Sequence, residues 1–199
     1  MTLVLNYGII YIMNIFILDN DPAKAAQYQC NKHVVKMIVE SAQMLSTVHR
    51  MVDGVMERRP SKSGSMIQYF KLEDSREHTL YKACHFNHPS TVWTRECDKN
   101  YNWHYLHFVA LCNEYTYRYG KVHATETKLI KILAKPPKKI KLSETMTPFK
   151  LAMAAHPECM FEDAVKSYRA FYHTKQDRFS MVWTKRIIPE WWNSNQGLV

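Results

Sequence analysis

Residues 31–52 run for about six helical turns without a glycine or a proline, and this stretch constrains the fold more than any other. Val34, Val35, Met37, Ile38, Val39, Ala42, Met44, Leu45 and Val48 surround the helix it predicts almost completely. His33, Lys36, Glu40, Gln43 and Thr47 recur at spacings of 3, 4, 3 and 4 and therefore share one narrow stripe. A helix that is apolar nearly all round is an interior helix. Burying a lysine and a glutamate on it costs several kcal/mol unless they pair or line a wet cleft. A surface ion pair between Lys36 and Glu40 accounts for two of the five polar residues. An active-site wall accounts for the whole file of His, Lys, Glu, Gln and Thr.

The rest of the chain supplies partners for such a helix. Asp19-Asn20-Asp21-Pro22 combines cap residues with a proline suited to a first turn, so a short helix begins there and is kinked from the long one near Cys30. Tyr101, Tyr105, Phe108, Cys112, Tyr115 and Tyr119 recur at 4, 3, 4, 3 and 4 and predict a helix over 98–119, closed by Gly120. Phe161, Val165, Tyr168 and Tyr172 predict another over 161–174. Residues 53–72 carry Gly54, Arg58-Arg59-Pro60 and Ser61-Lys62-Ser63-Gly64-Ser65, the composition of a mobile surface loop without a core of its own. Residues 135–148 form a basic loop with Pro136, Pro137 and Pro148.

Residues 1–18 hold no charged side chain. Asn6, Gly8 and Asn14 interrupt the apolar run and no basic n-region precedes it, which argues against a membrane span or signal peptide and for a buried strand or extended, packed leader. Met13, in Met-Asn-Ile-Phe, opens an alternative start. With five glycines and eight prolines in 199 residues, a many-stranded barrel or sandwich is disfavoured. The expected fold is mainly α: a compact single-domain helical fold with a short N-terminal strand or extended leader (1–18), a helical domain (19–192) and a tail (193–199).

Lysine and arginine outnumber aspartate and glutamate by 27 to 18, which points to a polyanionic partner. Five irregularly spaced cysteines read as reduced thiols of a cytoplasmic protein. Lys135, Lys138, Lys139 and Lys141 are candidates for phosphate contacts, together with Arg118 and Lys121, which end the aromatic helix. Pro89 at a first helical turn would leave backbone amides for an anion, with His85, Asn87, His88 and Arg95 close by. Cys84, His85, His88 and Cys97 lack the paired spacing of a zinc framework, so no metal is expected. No P-loop, dinucleotide glycine motif, H-E-x-x-H or nucleophile elbow occurs, and no cofactor is expected.

Four pieces in order resemble the pyrimidine dimer DNA glycosylase (endonuclease V-like) family and its phage-type relatives. They are Met13-Asn14-Ile15-Phe16; Asn31-Lys32-His33-Val34-Val35-Lys36-Met37 with Glu40 and Gln43; Tyr81-Lys82 through His88-Pro89; and Arg118-Tyr119-Gly120. The resemblance spans roughly residues 13–123. It implies a compact helical fold, double-stranded DNA as partner, host-cell cytoplasm for a phage-encoded chain, and a two-step reaction on damaged DNA. An amine attacks C1′, the base leaves, an imine forms and β-elimination nicks the strand. The family's catalytic glutamate corresponds to Glu40, and His33 resembles a histidine that helps position DNA. The family's amine is its own N-terminus, which here makes Thr2 the candidate once the initiator methionine is removed. The family's arginines before and one turn after the glutamate are replaced by Val39 and Gln43, and the leader is longer. Lys36, one turn before Glu40, is the second candidate amine, because burial lowers a lysine's pKa. A start at Met13 favours the lysine, since methionine before asparagine is not usually trimmed.

Two other readings of the same residues stand beside this one: a non-catalytic nucleic-acid-binding protein, and a hydrolase or transferase acting on nucleotides. No stable membrane association is expected, and nothing in the residues fixes an oligomeric state.

Overall fold

A computed structural model describes residues 13–193. Thr2 and the rest of residues 1–12, and residues 194–199 of the expected tail, lie outside the described residues. The fold is mainly helical: α1 (Pro22–Gln27), α2 (Asn31–Asp53), α3 (Arg76–Thr79), α4 (Pro89–Glu96), α5 (Asp98–Tyr119), α6 (Ala124–Leu133), α7 (Ala164–His173) and α8 (Glu190–Asn193), with strands β1 (Val55–Pro60) and β2 (Met66–Lys71). Asn193, placed in the tail by sequence, closes α8.

Local chemistry sets these boundaries. Asp21 accepts from the Lys24 backbone N–H and starts α1, with Pro22 in its first turn. Gly120 ends α5 in the left-handed region at φ 65°. α7 begins at Ala164 rather than at 161, because Asp163 accepts from the Lys166 N–H and fixes the first turn there. Phe161 stays outside the helix.

Residues 53–72 correct the expectation of an irregular loop. β1 and β2 pair antiparallel from Val55 opposite Lys71 to Pro60 opposite Met66, and the Ser-Lys-Ser-Gly-Ser stretch is their turn. Met66, Ile67, Tyr69 and Phe70 suit a strand, and the turn residues between the two runs masked that signal. The hairpin is mostly exposed, so it needs anchoring to persist. Arg50, buried on α2, donates to the carbonyls of Phe70, Tyr81, Glu77 and Leu80 and pairs with Glu77 at 2.7 Å. Gly54 makes the tight turn from α2 into β1. A Cβ there would lie 2.4 Å from the Arg50 carbonyl oxygen.

α2 lies against α4, α5 and α6, and buried residues from Met13 to Trp183 form one hydrophobic cluster. Residues 13–18 are buried in it without strand pairing. Side chains satisfy their backbone instead: Gln29 Nε2 donates to the Ile15 carbonyl, Asn14 Oδ1 accepts from the Phe16 N–H, and Arg169 Nε donates to the Leu18 carbonyl. No helix among the described residues is long and apolar enough to cross a membrane.

Candidate active site

The polar stripe of α2 is divided by burial. Thr47 is fully buried. Its hydroxyl accepts from the Cys84 N–H at 3.1 Å and lies 2.7 Å from the Gln43 carbonyl oxygen, which pins residue 84, and with it the loop that follows, to α2. Glu40 is also buried, while the Lys36 side chain is 41% exposed. Lys36 Nζ lies 3.0 Å from Glu40 Oε1, and the backbone N–H of Asn14 donates to Oε2, also at 3.0 Å. Burial pushes the Glu40 carboxyl above its ordinary pKa. The Lys36 charge and hydrogen bond, the Asn14 N–H and the charge of His85 pull the other way. The result is a sheltered carboxyl with two donors, suited to giving and taking a proton.

His33 stands two turns upstream. Its ring stacks on Phe16 at 4.6 Å, and its Nδ1 lies 2.7 Å from the Tyr172 hydroxyl. Because that hydroxyl oxygen accepts from the Cys30 N–H at 2.8 Å, its own hydrogen is available to Nδ1. Burial, with the charges of Lys36 and Lys175, lowers the His33 pKa to about 3, so the ring is neutral near neutral pH. Phe16 adopts φ 53° and His85 φ 50°, a region bulky side chains rarely occupy. Phe16 stacks on His33 and the charge of His85 acts on Glu40, so both strained residues stand next to members of the α2 stripe.

The 85–88 loop only partly meets expectation. Pro89 does open α4, but His88 caps it with its own ring, Nδ1 accepting from the Ser90 N–H at 3.2 Å, so one amide offered to a phosphate is already used. His88 is shifted to lower pKa by burial and by His85. Asn87 and His85 are exposed. Arg95 donates to the Phe86 carbonyl and braces the loop from behind.

Arg118 corrects the expectation of a phosphate contact. It is buried, donates to the backbone carbonyls of Gln27 and Gln29 and to Asn31 Oδ1, and pairs with Glu114 at 3.0 Å. A guanidinium saturated by fixed acceptors has no donor for DNA. Lys121, Lys135, Lys138, Lys139 and Lys141 are exposed as expected. Asp53 accepts from the backbone N–H groups of Lys138 and Lys139, both at 2.9 Å, and holds that loop in place.

Two participants escaped the sequence reading. The first is the Asn14 backbone, signalled only by a polar residue in an apolar run. The second is Lys175, in the 3₁₀ turn Thr174–Asp177, which no pattern in the sequence sets apart. Among the described residues, no group of three or more His, Cys, Asp and Glu side chains is arranged to hold a metal ion. Comparison with protein-family models, curated proteins and solved structures found no match to the chain.

Proposed function

We propose that this chain is a DNA-binding glycosylase and lyase that acts on damaged or modified pyrimidines through an imine intermediate. The observation that carries the proposal is a convergence. Three of the four pieces of the family resemblance, at residues 13–16, 31–43 and 81–89, meet around Glu40. Asn14 touches it, Lys36 pairs with it, and His85 bears on its charge. Chance similarity of short motifs gives no reason for them to share a recess.

The chemistry needs an amine beside a carboxyl that can change protonation state. A neutral amine attacks C1′, the glycosidic C1′–N bond breaks with its electron pair on the base, and the base takes the proton of the Glu40 carboxyl. Ring opening sends one amine proton to O4′ and leaves a protonated imine at C1′. The Glu40 carboxylate then takes a C2′ proton, and the C3′–O bond breaks with its pair on the departing phosphate. Water hydrolyses the imine and returns the amine. Among the described residues the candidate amines are lysine side chains, and the Thr2 α-amine lies outside them. The exposed lysines at 121 and 135–141 supply sequence-independent phosphate contacts.

The test is borohydride treatment of the full chain with duplexes carrying an abasic site, ultraviolet dimers or a modified pyrimidine. Covalent trapping together with strand nicking is the expected result. Tight binding without either would leave a nucleic-acid-binding protein, and turnover of free nucleotides would make it a nucleotide-acting enzyme.

A further inference from the structure

Lys175 is 8% exposed, and its Nζ stands 3.4 Å from the centroid of the Phe171 ring on α7. A buried ammonium is ordinarily paired with a carboxylate. The groups acting on this one are different: Lys36 from α2, Arg178 from its own segment and Cys159 from the 3₁₀ turn Pro157–Cys159. Its charge in turn bears on His33. Phe171 stacks towards Phe16 at 6.1 Å, and Phe16 stacks on His33, so a run of aromatic rings joins Lys175 to His33, two turns from Glu40 on α2.

We propose that Lys175 is the amine that attacks C1′, and that Lys36 serves as the cation beside it rather than as the nucleophile. The assignment rests on the glycosylase and lyase reading. Lys36 Nζ is engaged by Glu40 Oε1 at 3.0 Å and its side chain is 41% exposed, so it lacks the desolvation that makes a lysine nucleophilic. Lys175 is in the opposite position. Burial, Arg178 and Lys36 lower its pKa from the ordinary 10.5 to about 8, against the opposing influence of Cys159. At pH 7 that raises the neutral fraction by on the order of a hundredfold over an ordinary lysine. Desolvation next to a second cation is a known way to make a lysine reactive towards carbonyl carbon.

On an abasic site the step is a condensation. The Lys175 nitrogen bonds to the C1′ aldehyde carbon, and the carbonyl oxygen leaves as water with both amine hydrogens. Borohydride then delivers hydride to the C=N carbon and fixes the link as a secondary amine.

The experiment is trapping of the full chain on an abasic duplex, followed by peptide mass mapping, with Lys175→Arg and Lys36→Met in parallel. The expected adduct lies on the peptide containing residue 175. Lys175→Arg, with its fold checked by circular dichroism, is expected to lose at least about a hundredfold in trapping rate. Lys36→Met is expected to move the pH of half-maximal trapping upward, because removing a neighbouring cation favours the protonated form of Lys175. An adduct on Lys36 or any other residue, or full trapping by folded Lys175→Arg, overturns the assignment and leaves the glycosylase and lyase reading standing. No adduct on any peptide of the parent chain overturns both. An unchanged pH midpoint in Lys36→Met removes Lys36 from its role. The mapping uses the parent chain, so it decides the assignment even where a variant misfolds.

Discussion

The Tyr172 hydroxyl sits 2.7 Å from His33 Nδ1 and 2.8 Å from the Cys30 backbone nitrogen, tying α7 to the start of α2 directly behind the recess. Tyr172→Phe removes the partner of two buried groups at once. The expected cost is about 1–3 kcal/mol, read from urea unfolding at pH 7.5. A cost below about 0.5 kcal/mol would mean that water replaces the hydroxyl and that His33 is not held by it.

His33 belongs to a set of buried histidines whose pKa values burial depresses: about 3 for His33, about 4 for His49 and His107, and well below normal for His104. In the unfolded chain each titrates near 6.5. Above that pH neither state binds a proton and stability is flat. Below it the unfolded chain takes up protons that the folded chain refuses, so stability falls from about pH 6.5 towards pH 4. Each such group contributes up to about 1.4 kcal/mol per pH unit in that window. Denaturant midpoints between pH 8 and pH 4.5 check this. A flat profile would show that these rings are charged or exposed.

Glu40→Gln keeps an acceptor for the Asn14 N–H and nearly the same volume but removes the titrating proton. Strand cleavage is expected to drop at least about a hundredfold, with DNA affinity and melting temperature little changed. Lowered stability with unchanged specific activity would reduce Glu40 to the partner of Lys36 in an ion pair.

Replacing Lys135, Lys138, Lys139 and Lys141 by alanine should weaken binding to all duplexes alike. The log–log slope of affinity against salt should flatten by about 0.9 for each phosphate that these lysines neutralise. Fluorescence anisotropy across a salt series measures it. A slope equal to the parent's would place the DNA surface elsewhere.

Arg118→Met separates a structural role from a binding one. Removing a buried guanidinium leaves Glu114 with Arg186 alone and strips the Gln27 and Gln29 carbonyls of their donor. About 3–5 kcal/mol of stability should be lost, while the salt slope of the folded variant stays unchanged.

What could be read from the sequence was the periodic part. The long α2, the cap at Asp21, the aromatic stripe of α5, its stop at Gly120 and Pro89 at the start of α4 all follow from spacing and local chemistry. The stripe on α2 put His33, Lys36 and Glu40 on one face, because that depends on residues within ten positions of each other. What lay across the recess did not follow. Lys175 and Tyr172 reach His33 from well over a hundred residues away, and nothing local to Thr174–Asp177 records that packing. Arg118 misled for a related reason: its neighbours Tyr117, Tyr119 and Lys121 are exposed, but the helical rotation of about 100° per residue turns Arg118 onto Gln27 and Gln29. The hairpin was hidden because its turn residues outweighed two short strands.

Residues 13–18 depend on partners scattered along almost the whole chain. Gln29, Glu40, His107, Ala152 and Arg169 all bond to this one short segment. During synthesis at about 5–20 residues per second, the stretch waits roughly six to twenty-six seconds between the appearance of Glu40 and that of Arg169. In that interval α2 can wind and pack against α4, α5 and α6, but residues 13–18 lack Ala152 and Arg169, and contacts over such separations slow folding once the chain is complete. A chain stalled or cut short near residue 148 would therefore carry its basic loop while residues 13–18 still lacked Ala152 and Arg169, and would be exposed to aggregation.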